Sequence, residues 1–260
     1  MRLATMRVGE GSRTVLLLHG FLGSARNLSS LARGWAQADP SRSFLLMDLT
    51  GHGASPALPP DANLDAIARD VLETANAEGV APPYVIVGHS LGGRVALSAS
   101  LLAPQAIRHI TLLDIAPGPI DDAGREQTRT MSAFAAVPAF FAQREEARAA
   151  LQEQGLSKMM VEWLLMNLAS QENGYAWRID RTALQQLRPR MNALDLWPAV
   201  ERYGHAMRCI RGDLSPYVSD DDVRRYEQLG CHVVTLPDAG HFLHVDQPKA
   251  LIEHLAAETP

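Results

Sequence analysis

Ser90 stands in Gly88-His89-Ser90-Leu91-Gly92, after the apolar run Tyr84-Val85-Ile86-Val87 and before a small-residue stretch opening Gly93-Arg94-Val95-Ala96-Leu97. A Gly-x-Ser-x-Gly segment between a strand and a helix is the pattern of a nucleophile elbow, a sharp turn that holds a serine hydroxyl clear of its neighbours. Its glycines answer to sterics, because the serine backbone is strained and the strand and helix pass very close. A serine hydroxyl is a weak nucleophile without a base. Of the nine histidines, His241 in Ala239-Gly240-His241-Phe242 lies between the last expected strand and the last expected helix. A loop there can carry the imidazole over the strand ends to Ser90. His19, His52, His89 and His244 fall near the same edge and are expected to hydrogen-bond loop backbone. An acyl-transfer site also needs two backbone N–H donors aimed at the developing oxyanion. Leu91, directly after the serine, supplies one candidate amide; Phe21, in His19-Gly20-Phe21-Leu22-Gly23, supplies the other. No His, Cys and Asp spacing matches a zinc site, and no metal or organic cofactor is expected.

The elements that must position these groups alternate between short apolar runs and longer helical patterns, as in βαβ units of a mostly parallel sheet. Strands are expected at Thr14–Leu18, Ser43–Met47, Tyr84–Gly88, His109–Leu113, Met207–Arg211 and His232–Leu236, with Leu3–Val8 as an antiparallel edge strand. Their near-continuous apolar character implies burial on both faces. Helices are expected at Asn27–Gln37, Leu64–Glu78, Leu91–Leu102, Asp220–Leu229 and Pro248–Ala257, with Asn63 and Ser219 as N-caps of two of them. The alternation breaks between Pro117 and His205, where no strand-like run stands out. Helical patterns at Glu126–Ala136, Phe140–Gln154, Ser157–Ala169 and Thr182–Leu187 read as a helical insertion over the C-terminal edge of the sheet.

Composition excludes other classes. Of 260 residues, 47% are hydrophobic and 20% charged, which is ordinary for a soluble globular enzyme with a substantial core. A net charge of −5 without a basic patch argues against nucleic acid as a partner. No apolar stretch reaches bilayer-spanning length, and the first residues lack the apolar segment of a secretory signal. A cytoplasmic protein is therefore expected, with Cys209 and Cys231 as buried free thiols.

The chain resembles the α/β-hydrolase superfamily in four segments that stand in the right order. These are His19-Gly20-Phe21, Asp48-Leu49-Thr50-Gly51-His52-Gly53-Ala54-Ser55, Gly88-His89-Ser90-Leu91-Gly92-Gly93 and Ala239-Gly240-His241-Phe242. The resemblance implies a mostly parallel central sheet flanked by helices, a catalytic Ser–acid–His order, and a cap inserted after the sixth strand. Residues 1–116 and 206–260 would form the core domain and 117–205 the helical cap. The acid has two candidates. Many members carry it as Gly-x-x-Asp after the first strand beyond the cap, but here Arg211-Gly212-Asp213-Leu214-Ser215 puts Ser215 at that place and Asp213 two residues early. The other candidate, Asp114, ends the run Ile110-Thr111-Leu112-Leu113. That second arrangement is similar to the YbfF-like bacterial esterases, in which the acid precedes the cap and a serine near Ser215 assists the histidine. Trp163-Leu164-Leu165-Met166-Asn167-Leu168, Trp177-Arg178-Ile179-Asp180 and Ser215-Pro216-Tyr217-Val218 match that group as well.

The reading that follows is a serine hydrolase of small-molecule carboxylic esters or thioesters, acyl-CoA among them, acting through an acyl-enzyme. A C–C bond hydrolase or a menaquinone-pathway lyase of the same fold, or a ligand receptor that retains the triad, are the alternatives. The aromatic and methionine content of the insertion suits an apolar acyl pocket. Phe134, Met160, Trp163, Met166 and Trp177 are its expected lining. Arg94, Arg178 and Arg181 are expected to be helix-surface charges.

Overall fold

Four- to seven-residue apolar runs without polar alternation bury both faces, and here they form the centre of one sheet. The computed structural model describes residues 1–120 and 126–259. It begins with β1 (Thr5–Val8), β2 (Arg13–Leu18), α1 (Ser29–Ala38), β3 (Arg42–Met47), α2 (Leu64–Ala77), β4 (Tyr84–His89), α3 (Leu91–Leu102) and β5 (Ile107–Leu113). The chain then leaves the sheet through α4 (Glu126–Ala136), β6 (Phe140–Phe141), α5 (Arg144–Glu153), α6 (Lys158–Leu165), β7 (Leu168–Gln171), β8 (Gly174–Trp177), α7 (Arg181–Asn192) and α8 (Trp197–Tyr203). It returns with β9 (Met207–Gly212), α9 (Asp220–Gln228), β10 (His232–Leu236), α10 (Leu243–Asp246) and α11 (Pro248–Glu258).

The sheet runs β1-β3-β2-β4-β5-β9-β10, with β1 antiparallel and the other strands parallel. Every strand expected for this sheet occurs, with small shifts at the ends. Alternate residues feed opposite faces: Leu16 and Leu18 join a core with α2 and α3, while Val15 and Leu17 join one with α1 and α11. Asn63 accepts from the Ala66 amide at 2.9 Å and Ser219 from Asp222 at 3.1 Å, so both expected N-caps form. The strand order reverses at β2, whose neighbours are β3 on one side and β4 on the other. Loops leaving the C-terminal ends of β2 and β4 therefore diverge, and an open α/β sheet has its crevice at such a switch point.

The region between β5 and β9 departs from the all-helical expectation. It contains a three-stranded antiparallel sheet, β6-β8-β7, in which Leu168–Gln171 pairs with Gly174–Trp177. The patterns at Phe140–Gln154 and Ser157–Ala169 thus each combine a strand with a shorter helix. The insertion follows the fifth strand of this chain rather than a sixth, because a single antiparallel strand precedes the parallel series. The expected boundary at 206 also shifts: Leu187, Met191, Leu196, Trp197 and Val200 pack in the core beside α3, so core packing resumes within α7 and α8. A separate cluster, including Phe134, Phe141, Leu151 and Leu164, is the inner core of the insertion. Asn167 ties the insertion to the sheet, donating to the Leu22 carbonyl at 2.7 Å. Among the described residues no helix is long and apolar enough to cross a membrane. Cys209 and Cys231 are buried and free.

Candidate active site

The turn between β4 and α3 places Ser90 at φ 50° and ψ −112°, a strained backbone for a residue with a side chain. Two glycines make the turn possible. A Cβ on Gly88 would lie 2.4 Å from the Gly92 backbone, and one on Gly92 would lie 2.3 Å from the Leu18 carbonyl oxygen. The Ser90 amide donates to the Leu113 carbonyl at 3.1 Å, which fixes the elbow to β5. Leu91 opens α3, where first-turn amides have no acceptor within the helix. The Phe21 amide donates to nothing among the described residues. Phe21, Ser90 and Leu91 line one small cavity together.

Asp114 follows β5 with φ 53° and is fully buried. Its Oδ2 accepts from His241 Nδ1 at 2.7 Å and from the Ser215 hydroxyl, and its Oδ1 accepts from the Gly212 amide at 3.0 Å. Asp213 points elsewhere. It is exposed, and its carboxylate accepts from the Ala239 amide at 3.2 Å, so it braces the histidine loop by its backbone. Of the two candidate acids, only Asp114 bonds the imidazole, because the end of β5 lies directly under the histidine loop while the Asp213 side chain turns to solvent.

The His241 loop is held on several sides. Asp246 accepts from the Gly240 amide at 2.9 Å, and His89 Nε2–H donates to the His241 carbonyl at 2.8 Å. The Tyr217 ring lies 4.0 Å from the imidazole, tilted by 31°. His241 Nε2 has no hydrogen-bond partner, and His241 and Ser90 line the same cavity. Of the four other nearby histidines, His19, His52 and His89 each bond loop backbone, as expected. His244 does not: neither of its ring nitrogens has a partner. Burial holds His19 and His244 down to about 4 and His52 to about 3, and it holds His89 well below the usual imidazole range. All four are therefore neutral at physiological pH.

The cavity at Ser90 encloses about 370 Å³, solvent mouth included. Phe21, Leu22, Met160, Trp163 and Phe242 make its apolar wall, and His89 and Thr130 add polar groups. Met160 and Trp163 thus lie where the sequence expectation put them. Phe134, Met166 and Trp177 do not line this cavity. Phe134 is 0% exposed inside the insertion's own core, with Trp177 edge-on to it at 4.7 Å. Met166 is 41% exposed, its sulfur 2.9 Å from Asn27 Nδ2. Composition selects apolar side chains but does not distinguish a cavity wall from an internal core.

A second, smaller cavity reaches Ser90 from the α3 side, and Arg94 and Arg188 stand in its wall. Arg94 is not a surface charge: it is 2% exposed. Its Nη1 donates to the Gly118 carbonyl at 2.8 Å, and its Nη2 to Met191 at 2.9 Å and Leu194 at 2.7 Å. One guanidinium thereby joins both connections between core and insertion. Burial lowers its pKa to about 10, which still leaves it charged. Arg181 likewise serves carbonyls, donating to Val137 at 2.7 Å, whereas Arg178 is exposed as expected. Phe242 and Thr130 escaped the sequence reading. Phe242 had a signal, since it adjoins His241 in the quoted motif; Thr130, one polar residue on a helix, had none.

The comparisons with known proteins bear on the family and the fold. A model of the alpha/beta hydrolase family matches residues 15–254. The chain is 29% identical to the esterase YbfF of Escherichia coli over 257 residues, covering 97% of this chain and 95% of that one. It is 28% identical to the sn-1-specific diacylglycerol lipase of Mus musculus over 253 residues, covering 92% of this chain and 78% of the other. The solved structure of a marine microorganism esterase superposes with a TM-score of 0.86 at 25% identity, covering 97% of both chains. With a family model spanning nearly its whole length, the chain belongs to the alpha/beta hydrolase family.

Proposed function

We propose that the protein is a serine hydrolase of carboxylic esters, with Ser90 as nucleophile, His241 as general base and Asp114 as the acid that orients it. The observation that carries this reading is the imidazole held from one side only: Nδ1 is committed to Asp114, while Nε2 is unpartnered in the cavity that Ser90 lines. Ser90 Oγ attacks the ester carbonyl as its proton passes to His241 Nε2. Asp114 fixes the tautomer and stabilises the imidazolium. The Leu91 and Phe21 amides receive the oxyanion, each worth about 3 kcal/mol in comparable sites. The imidazolium then protonates the departing alkoxide, leaving an acyl group on Ser90. A water that loses its proton to His241 Nε2 releases the acid and restores the serine. Ser215, bonded to Asp114, positions the carboxylate.

Relatives named esterase and lipase support the ester-cleaving class. The cavities on either side of Ser90 suit the two substituents of an ester, and the insertion from α4 through β8 acts as a lid over them. Thioesters such as acyl-CoA fit the same steps with a thiolate leaving. Ser90→Ala should lower turnover of a short p-nitrophenyl ester by at least about ten-thousandfold and abolish fluorophosphonate labelling. Retained turnover by the purified variant overturns the assignment.

A further inference from the structure

Two residues that line the cavity at Ser90 carry buried polar atoms that the ester reading leaves unemployed. Thr130, on α4, is 3% exposed, and its Oγ1 has no hydrogen-bond partner. A helical threonine hydroxyl ordinarily bonds the carbonyl one turn back; this one does not. His89 is the second. Its Nε2–H is committed to the His241 carbonyl, and its Nδ1, a bare acceptor without a partner, faces Gly20, where a Cβ would lie 2.7 Å away, so Thr130 is the atom left for a ligand. Buried polar groups in folded proteins are nearly always paired, and an unpaired one in a binding cavity calls for a ligand group.

We propose that Thr130 is a specificity-determining residue that binds an aliphatic hydroxyl carried by the ester substrate near its scissile carbonyl. The proposal rests on the ester-hydrolase reading and deepens it. The chemistry of the threonine selects a hydroxyl over other polar groups. Its hydroxyl both donates and accepts, so a group that can do the same makes fuller use of it than a carbonyl, which only accepts. A carboxylate is disfavoured, since among the described residues no lysine or arginine lines this cavity. The hydroxyl can belong to the acyl chain or to the alcohol, and the assay separates these sources.

The test measures kcat/KM for matched pairs with the wild type, Thr130→Val and Thr130→Ser. One arm compares the p-nitrophenyl esters of butyrate and β-hydroxybutyrate; the other compares propyl butyrate with glycerol monobutyrate. The wild type should prefer the hydroxylated member of one arm by about tenfold, the worth of one well-made hydrogen bond. The isosteric Thr130→Val should bring that ratio to about one, and Thr130→Ser should restore it. An unchanged ratio in Thr130→Val, or no preference in either arm, overturns the proposal. Binding of the intact esters to the Ser90→Ala variant reads the same preference without turnover. Hydroxyl-selective binding with no hydrolysis by the wild type overturns the hydrolase reading alone. Hydrolysis without hydroxyl-selective binding overturns this one alone.

Discussion

Replacing Asp114 by asparagine tests the most specific part of the site, because the structure predicts which hydrogen bonds survive and which reverse. The backbone at 114 is left-handed, and asparagine is among the few residues that accept that conformation readily. The side-chain oxygen can keep the Gly212 amide as its donor, so the end of β5 keeps its tie to β9. The amide nitrogen then stands where Oδ2 stood, facing His241 Nδ1 and the Ser215 hydroxyl. An N–H in that place donates to Nδ1 and drives the imidazole proton onto Nε2. A protonated Nε2 cannot accept from Ser90, so the enzyme is left with a well-folded site and the wrong tautomer. The same exchange in another serine hydrolase costs about ten-thousandfold in kcat, or about 5.5 kcal/mol of barrier. A loss of that size, with KM little changed, is expected for a p-nitrophenyl ester at neutral pH. Urea unfolding should stay within about 1 kcal/mol of wild type, since the variant forfeits one charged hydrogen bond but no longer buries a carboxylate. Asp213→Asn is the internal control: an exposed carboxyl on a backbone amide should change kcat by less than about threefold. Asp114→Asn retaining a tenth of the activity, or Asp213→Asn losing as much, refutes the reasoning.

Acid should unfold the protein by way of its buried imidazoles. Below the unfolded-state value of about 6.5, the unfolded chain takes up protons that folded His19, His52 and His244 refuse, and each of these withdraws about 1.4 kcal/mol of stability per pH unit down to its folded value, while His89 acts in the same direction. These three together remove about 4 kcal/mol per unit, against a typical total of about 5–15 kcal/mol, so circular dichroism should show unfolding between about pH 5.5 and 3.5. A folded protein at pH 3.5 contradicts this. Arg94→Met should cost about 3 kcal/mol in urea unfolding by stripping donors from the carbonyls of both connections to the insertion. An unshifted midpoint means those carbonyls find water instead.

What was legible in the sequence follows from what each residue must satisfy by itself. Strands of the parallel sheet show as apolar runs because both faces are buried, and the elbow shows because its glycines serve a local clash. The insertion's strands were hidden because they are two to four residues long, too short for a strand period to show. Asn173-Gly174 was a usable hairpin signal, one residue out of place: the register leaves Glu172 and Asn173 as the two-residue turn, and Gly174 opens β8. Arg94 looked like a surface charge only while α3 was treated as having a surface. Every residue from Leu91 to Ser100 is buried, and a helix apolar nearly all round has no solvent face to offer an arginine. The cavity wall was the least legible part, because it depends on how the insertion docks rather than on any one element.

The uncertain acid of the sequence reading has a geometric cause. β5 and β9 are adjacent parallel strands, so the loops leaving their C-terminal ends start side by side. The Asp114 amide donates to the Ile210 carbonyl at 2.8 Å, and Asp114 Oδ1 takes the Gly212 amide. What the imidazole requires is a carboxylate at one point in space, and either loop can deliver it. Here β5 supplies the carboxylate, and the β9 loop brings a hydroxyl from Ser215 onto the same oxygen. The two positions cannot both be acidic without cost, since carboxylates that share a hydrogen-bonding site repel and one is driven to hold its proton. A protonated member would present a donor to His241 Nδ1, the same reversal that asparagine causes at 114. The serine at 215 is therefore the complement of the aspartate at 114: it donates to the buried charge without competing with it. The chain address of the acid is free to move between neighbouring strands, while its place beneath the histidine is not.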